Sequence, residues 1–279
     1  MTEEQFKELK KAFLKQQLEG KKYDKGKGCF GSNGEELQLD QFETMDQDKK
    51  IKIAICRAYE DSQPRTIKGH NSDGLFEWST NPMSVLYNSM SDFINSEECE
   101  KFEIWHKNTC KNFLNEYNKF LKEKNCSKQA YGKAQKIINM TLKYLYCMCD
   151  CKERFKDCHM VIDSYTLEWF FRAQNEYEEF KSDKYYKSRI GCWSNMQKEN
   201  YNKIQERIRT IIEKSNNYKI GGEKMTPFQA EFIIWEEEKI RSALLALTDE
   251  KNMVYNGSLN DLINNVRAKV DDLYKKYNG

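Results

Sequence analysis

Proline occurs only three times in 279 residues, and from about residue 84 to 248 the apolar side chains recur three and four apart. An interior proline removes a backbone donor and clashes with the preceding turn, so its scarcity leaves long stretches free to be helical. The spacing puts apolar residues on one face of each helix. Val85, Leu86, Met90, Phe93 and Ile94 mark one helix, and Phe102, Trp105, Thr109, Phe113, Tyr117 and Phe120 the next. Ala134, Ile137, Ile138, Leu142 and Leu145 mark a third, and Leu167, Phe170, Phe171, Gln174 and Tyr177 a fourth. Tyr201, Ile204, Ile208, Ile211 and Ile212 give a fifth, and Phe232, Trp235, Leu244 and Leu247 a sixth. The sixth opens at Thr226-Pro227-Phe228-Gln229, where Thr caps, Pro suits the first turn and Gln closes a capping box. The fold expected is mainly α: a multi-helix globular domain with an irregular glycine-rich amino-terminal region and at most a small β element.

Charge narrows the partners. Forty-six Lys plus Arg stand against 44 Asp plus Glu, a net +2, which argues against a sequence-independent nucleic-acid coat but leaves room for a local basic face. Aromatics at 13% supply material for a core and exclude a disordered chain. At this length a chain hides roughly three quarters of its extended surface, so the fold needs no disulfide or metal staple.

The amino terminus reads as an amphipathic charged helix with Phe6, Leu9 and Phe13 on one face, stopping near Gly20. It has no secretion-signal core, and no run reaches the apolar length of a membrane span. The ten cysteines are therefore expected as free thiols in a cytoplasmic protein with no membrane partner. Ile51, Ile53 and Ile55 alternate like a strand, yet Ile51, Ile55, Ala58 and Tyr59 fit a helix as well. Residues 61–82 read as an irregular connection. The divisions are 1–82, an amino-terminal helix plus irregular region; 83–248, a central helical domain; and 249–279, a carboxy-terminal helix.

Gly26-Lys27-Gly28-Cys29-Phe30-Gly31 matches G-x-G-x-x-G, but a polar stretch precedes it where a phosphate loop needs a buried strand. Cys147, Cys149, Cys151, Cys158 and His159 put five soft ligands within 13 residues, a candidate zinc set. Their C-x-C-x-C spacing is tighter than the usual knuckle, and buried thiols at a helix end explain them equally. Glu236-Glu237-Glu238 fan out around a helix and read as a solvated turn. Trp78, beside a loop, is a candidate stacking residue outside the helical stripes.

Lysine is concentrated in one place. Lys119, Lys122, Lys124, Lys128, Lys133, Lys136 and Lys143 face only Glu123 over 25 residues, seven cations against one acid, or +6. Gly132 sits in the turn before the helix of Ile137 to Leu145. An apolar step, Met160-Val161-Ile162, then leads to Asp163-Ser164 at the head of the next helix. Lysines beside the free amides of a helix amino terminus make a phosphate seat, here Lys128, Gly132, Lys133 and Lys136.

Over residues 119–170 this order resembles the helix-hairpin-helix DNA glycosylases. In that family a glycine-containing turn joins two helices, and an apolar-Asp-Thr/Ser segment carries the catalytic acid. The resemblance implies Gly132 as the hairpin glycine, Asp163 as the catalytic acid, and Lys133 or Lys136 as the lysine that contacts phosphate or attacks the sugar. Tyr165 and Trp169 are the aromatics that would stack on an extruded base. The family's L-P-G-V-G turn is absent, since this chain reads Gln129-Ala130-Tyr131-Gly132-Lys133, and the gap to Asp163 is long.

The function expected is thus a helical DNA- or nucleotide-phosphate-binding protein with glycosylase-like base excision. One alternative is a non-enzymatic interaction protein, of bacterium–phage conflict or as a complex subunit. It rests on the near-neutral charge, the Lys-, Asn- and Ile-rich composition of AT-rich bacterial or phage genomes, and the heptad-like Leu259, Ile263, Val266, Val270, Leu273 and Tyr277. That 259–277 helix would hold a protein partner or a second copy. A second alternative is a helical protein stabilised by zinc on the cysteine set.

Overall fold

The computed structural model describes residues 1–24, 26–62, 75–76, 78, 82–96, 101–149, 152–183, 190–247, 261 and 263–264. The fold is mainly α, with nine α-helices among these residues and two small antiparallel sheets. The helices are α1 (Glu3–Leu18), α2 (Gln41–Thr44), α3 (Gln47–Ser62), α4 (Pro82–Asn95), α5 (Phe102–Glu123), α6 (Tyr131–Met148), α7 (Ser164–Ala173), α8 (Lys198–Lys214) and α9 (Pro227–Leu247). Single-turn 3₁₀ helices include Lys152–Phe155 and Trp193–Asn195. No described helix is long and apolar enough to cross a membrane.

Helix ends follow local chemistry. Thr226 and Gln229 exchange side-chain-to-backbone hydrogen bonds at 3.2 and 3.0 Å, closing the expected capping box of α9. The glycine-rich segment forms a three-stranded sheet in the order β2-β1-β3, from β1 (Lys22–Asp24), β2 (Cys29–Phe30) and β3 (Glu35–Glu36). Its G-x-G-x-x-G is a hairpin turn, with Gly28 at φ +64° donating to the Asp24 carbonyl at 2.8 Å. The Gly28 carbonyl accepts from Trp78 Nε1 at 3.1 Å, so the Trp78 indole closes this hairpin, against Phe76 and Tyr87. A second hairpin pairs β4 (Lys219–Ile220) with β5 (Glu223–Lys224).

The ambiguous stretch at Ile51 is helix. In α3, Ile51, Ile53, Ala54, Ile55, Cys56 and Ala58 are all buried, so a helix covered on most sides mimics strand alternation. α3 packs along α6, and α1, α5, α8 and the 193–195 turn close around α6 as well. One apolar cluster runs from Phe6 to Ile234. Residues on both sides of position 82 share this cluster. The heptad-like 259–277 segment lies outside the described residues except for Asp261, Ile263 and Asn264.

Candidate functional site

α6 is central, and nearly all of it is buried, from Tyr131 through Tyr146 and at Met148. Its sequence is not uniformly apolar: Lys133, Gln135, Lys136, Asn139, Thr141 and Lys143 are interior with it. Buried polar groups are tolerated only with partners, and buried charges only when paired or neutralised. The polar contacts of α6 are therefore the place to look for chemistry.

The lysine concentration divides at the turn between α5 and α6. Lys119, Lys122, Lys124 and Lys128 stay exposed, and Lys119, Lys122 and Lys128 line a surface concavity of about 670 Å³. Lys133, Lys136 and Lys143 are interior, because α6 is enclosed on nearly every side.

Lys133 Nζ donates to the Ser62 carbonyl at 2.6 Å and lies 5.0 Å from the Trp193 ring centre. Burial, with Lys136 adding to it, lowers its amine to about 8. Lys136 Nζ sits 4.5 Å over the same indole and 3.6 Å from Asp163 Oδ2. Asp163 caps α7: its Oδ1 accepts from the Tyr165 and Thr166 amides at 2.9 and 3.1 Å. Its Oδ2 accepts from Trp235 Nε1 at 3.3 Å. The cap and the inward carboxylate are thus two ends of one side chain, and capping does not remove Asp163 from the lysines.

Gly132 has a structural task. A Cβ there would lie 1.9 Å from the Trp193 carbonyl oxygen, so only glycine lets the 193–196 turn pass against α6. Its amide donates to the Met196 carbonyl at 3.0 Å. That donor is therefore used within the fold. Tyr165 is half-buried and meets Trp235 edge-on with ring centres 5.7 Å apart. Trp169 is buried elsewhere, donating from Nε1 to Tyr218 Oη at 3.0 Å.

Sequence reasoning missed several members of this polar interior. Lys143 meets Glu231 at 2.5 Å with both side chains out of solvent, and its ammonium lies 4.4 Å from the Phe232 ring centre. Burial pushes the Glu231 carboxyl up, and Lys143 opposes that. Tyr144 Oη donates to Asp61 Oδ2 at 2.5 Å, and Asp61 pairs with Arg57 at 2.8 Å. The available signal was a charge on an apolar stripe: Glu231 falls among Phe228, Phe232 and Trp235 of α9. Glu238 is a correction, because it is buried beside Arg172 and Arg241 rather than on a solvated turn.

Cys147 and Cys149 line one groove near the end of α6. Cys149 Sγ accepts from Gln47 Nε2 at 3.2 Å. Cys158 is buried, and burial raises its thiol well above the usual value, as it raises Cys147 to about 12. Metal binding needs thiolates. His159 joins a different network, with Nδ1 2.7 Å from Tyr201 Oη and Nε2 3.0 Å from Glu103 Oε1. Cys151 lies outside the described residues. Among those residues no three His, Cys, Asp or Glu side chains stand together as a metal site.

Around Lys133 and Lys136 the arrangement offers a depressed amine, a second cation bound to a carboxylate, and an indole covering both. Trp193 follows Gly191, whose φ of +70° lies in the left-handed region. Such a set can attack an electrophilic carbon, hold a developing cation with Asp163 and exclude water. No protein family, curated protein or solved structure matches this chain.

Proposed function

We propose that the chain is a DNA-binding base-excision enzyme of the glycosylase–lyase type, with Lys133 as nucleophile and Lys136 and Asp163 as its proton-handling pair. The observation that carries this reading is the Lys133 amine, lowered to about 8 and standing under Trp193 beside the Lys136–Asp163 pair. A lysine attacks only as the neutral amine, so burial next to a second cation is how a protein readies one near neutral pH.

The neutral Lys133 amine forms a bond to C1′ of the target nucleotide. The glycosidic C1′–N bond breaks with its electron pair on the base, and the base takes a proton from the Lys136 ammonium. The proton carried by the new C1′–N⁺ centre returns to Lys136. Asp163 Oδ2 keeps Lys136 in place and offsets the positive charge that develops on the sugar. The sugar ring then opens, O4′ takes a proton from water, and a protonated imine joins Lys133 to the strand. Lys119, Lys122 and Lys128, exposed at the α5–α6 turn, supply cations for the flanking phosphates. Extrusion of the nucleotide requires Trp193 to lift from the two amines, and Tyr165 beside Trp235 then offers a stacking face.

Borohydride trapping on DNA carrying an abasic site tests the reading, with binding followed at about 50 and 200 mM salt. The wild type should form a covalent adduct that Lys133→Ala abolishes. Asp163→Asn, which can keep the helix cap, should slow the adduct by about 100-fold, within the usual range for a group in acid–base catalysis. An undiminished adduct with Lys133→Ala sinks the assignment. Absence of any DNA binding at the lower salt removes the reading altogether.

A further inference from the structure

We infer that a second site, distinct from the one above, binds a small phosphate ester carrying an aromatic ring, with Lys50 as its cation. The site is a groove of about 780 Å³ between α1, α2 with the two residues before it, the start of α3, the carboxy-terminal end of α6 and the β4–β5 hairpin. From Lys133 to Met148 the helix rises about 22 Å, so the two sites stand at opposite ends of α6.

Lys50 carries the argument. Its residue exposure is 8%, it lines the groove, and among the described residues its side chain has neither an ion pair nor a hydrogen bond. Its stem is packed inside and its ammonium has no ion pair, so the charge is available to an anion that enters the groove. Lys7 and Lys10 line the same groove. The acids there, Glu3, Asp40, Glu43 and Glu223, are all exposed. Lys7, Lys11 and Lys224 are exposed at the rim beside these acids, and Lys50 is the buried charged residue of the lining. An anion fits the interior, and rim carboxylates can accept from hydroxyl or amino groups of the same ligand.

The rest of the lining selects what the anion is attached to. Phe6, Phe42 and Tyr146 are walls of the groove, and Lys10 Nζ already lies 4.5 Å from the Tyr146 ring centre. A space of several hundred Å³ with both apolar and charged lining is large enough for a small molecule that carries both kinds of group. A phosphate monoester with a flat ring, of the kind a nucleoside monophosphate presents, uses both halves: phosphate on Lys50 and Lys7, ring along the aromatic wall.

Calorimetric titration of the full chain with adenosine monophosphate, inorganic phosphate and adenosine tests this. The monophosphate should bind, with phosphate and adenosine each at least about tenfold weaker. Lys50→Met should weaken the monophosphate by at least about tenfold without lowering the melting temperature, because it keeps the buried stem and removes a charge that has no ion pair. Lys50→Arg should retain binding, and so should Asp163→Asn, which alters only the other site. Unchanged affinity in Lys50→Met overturns the proposal, as does absence of monophosphate binding by the folded wild type at millimolar concentration. Loss of binding in Asp163→Asn assigns the ligand to the other site and overturns it too. Phosphate binding as tight as the monophosphate overturns the aromatic half.

Discussion

Lys143 Nζ and Glu231 Oε2 meet at 2.5 Å inside the protein, the lysine from α6 and the glutamate from α9. Phe13, Phe232 and Trp235 surround the ammonium at 4.4 to 5.6 Å from their ring centres. The pair couples three parts of the chain that are far apart in sequence. Trp235, one helical turn beyond Glu231 on α9, donates to Asp163.

Removing one partner of such a pair leaves the other charged and buried. Lys143→Met alone should destabilise the fold by about 3–5 kcal/mol, and Lys143→Met with Glu231→Leu should recover most of that loss. Urea denaturation of the two variants checks it. Equal losses in both would mean that the packing around the pair, and not its charge, sets the stability.

The Lys133 amine, lowered from 10.5 to about 8 by burial and then by Lys136, has consequences for both chemistry and stability. Adduct formation needs the neutral amine, so its rate should rise with pH through a midpoint of about 8. Lys136→Gln removes a neighbouring cation and should move that midpoint upward. The folded value lies below the unfolded one, so between pH 8 and 10.5 the unfolded chain binds more protons. Stability should rise with pH across that window, and Lys133→Met should flatten the rise. A midpoint that stays put in Lys136→Gln would exclude the charge coupling between the two lysines.

Gly132→Ala tests the close approach of the 193–196 turn. The added Cβ would lie 1.9 Å from the Trp193 carbonyl oxygen, and a backbone atom can give way only if the turn moves. The variant should lose about 1–3 kcal/mol, the usual range for overpacking. It should also change the tryptophan fluorescence, because Trp193 is displaced from the two lysines. A variant with wild-type stability and an unchanged spectrum would show that the turn yields freely.

The sequence by itself determined the helices whose apolar spacing is unambiguous. The three-and-four spacing in residues 201–212 reappears as the buried face of α8, and the Thr226–Gln229 box caps α9, because both signals depend on residues a turn apart. Asp163 at the head of α7 was legible for the same reason. Tertiary structure alone decided which charges are interior. In sequence Lys128, Lys133 and Lys136 look alike, yet only the last two lie on a helix enclosed by α1, α3, α5 and α8. Their partners come from distant segments, Ser62 from α3, Trp193 from a 3₁₀ turn and Asp163 from the α7 cap. Enclosure is a property of the assembled core, and so is the pKa of a buried amine. Local periodicity carries neither, because both depend on what the rest of the chain puts between a charge and water.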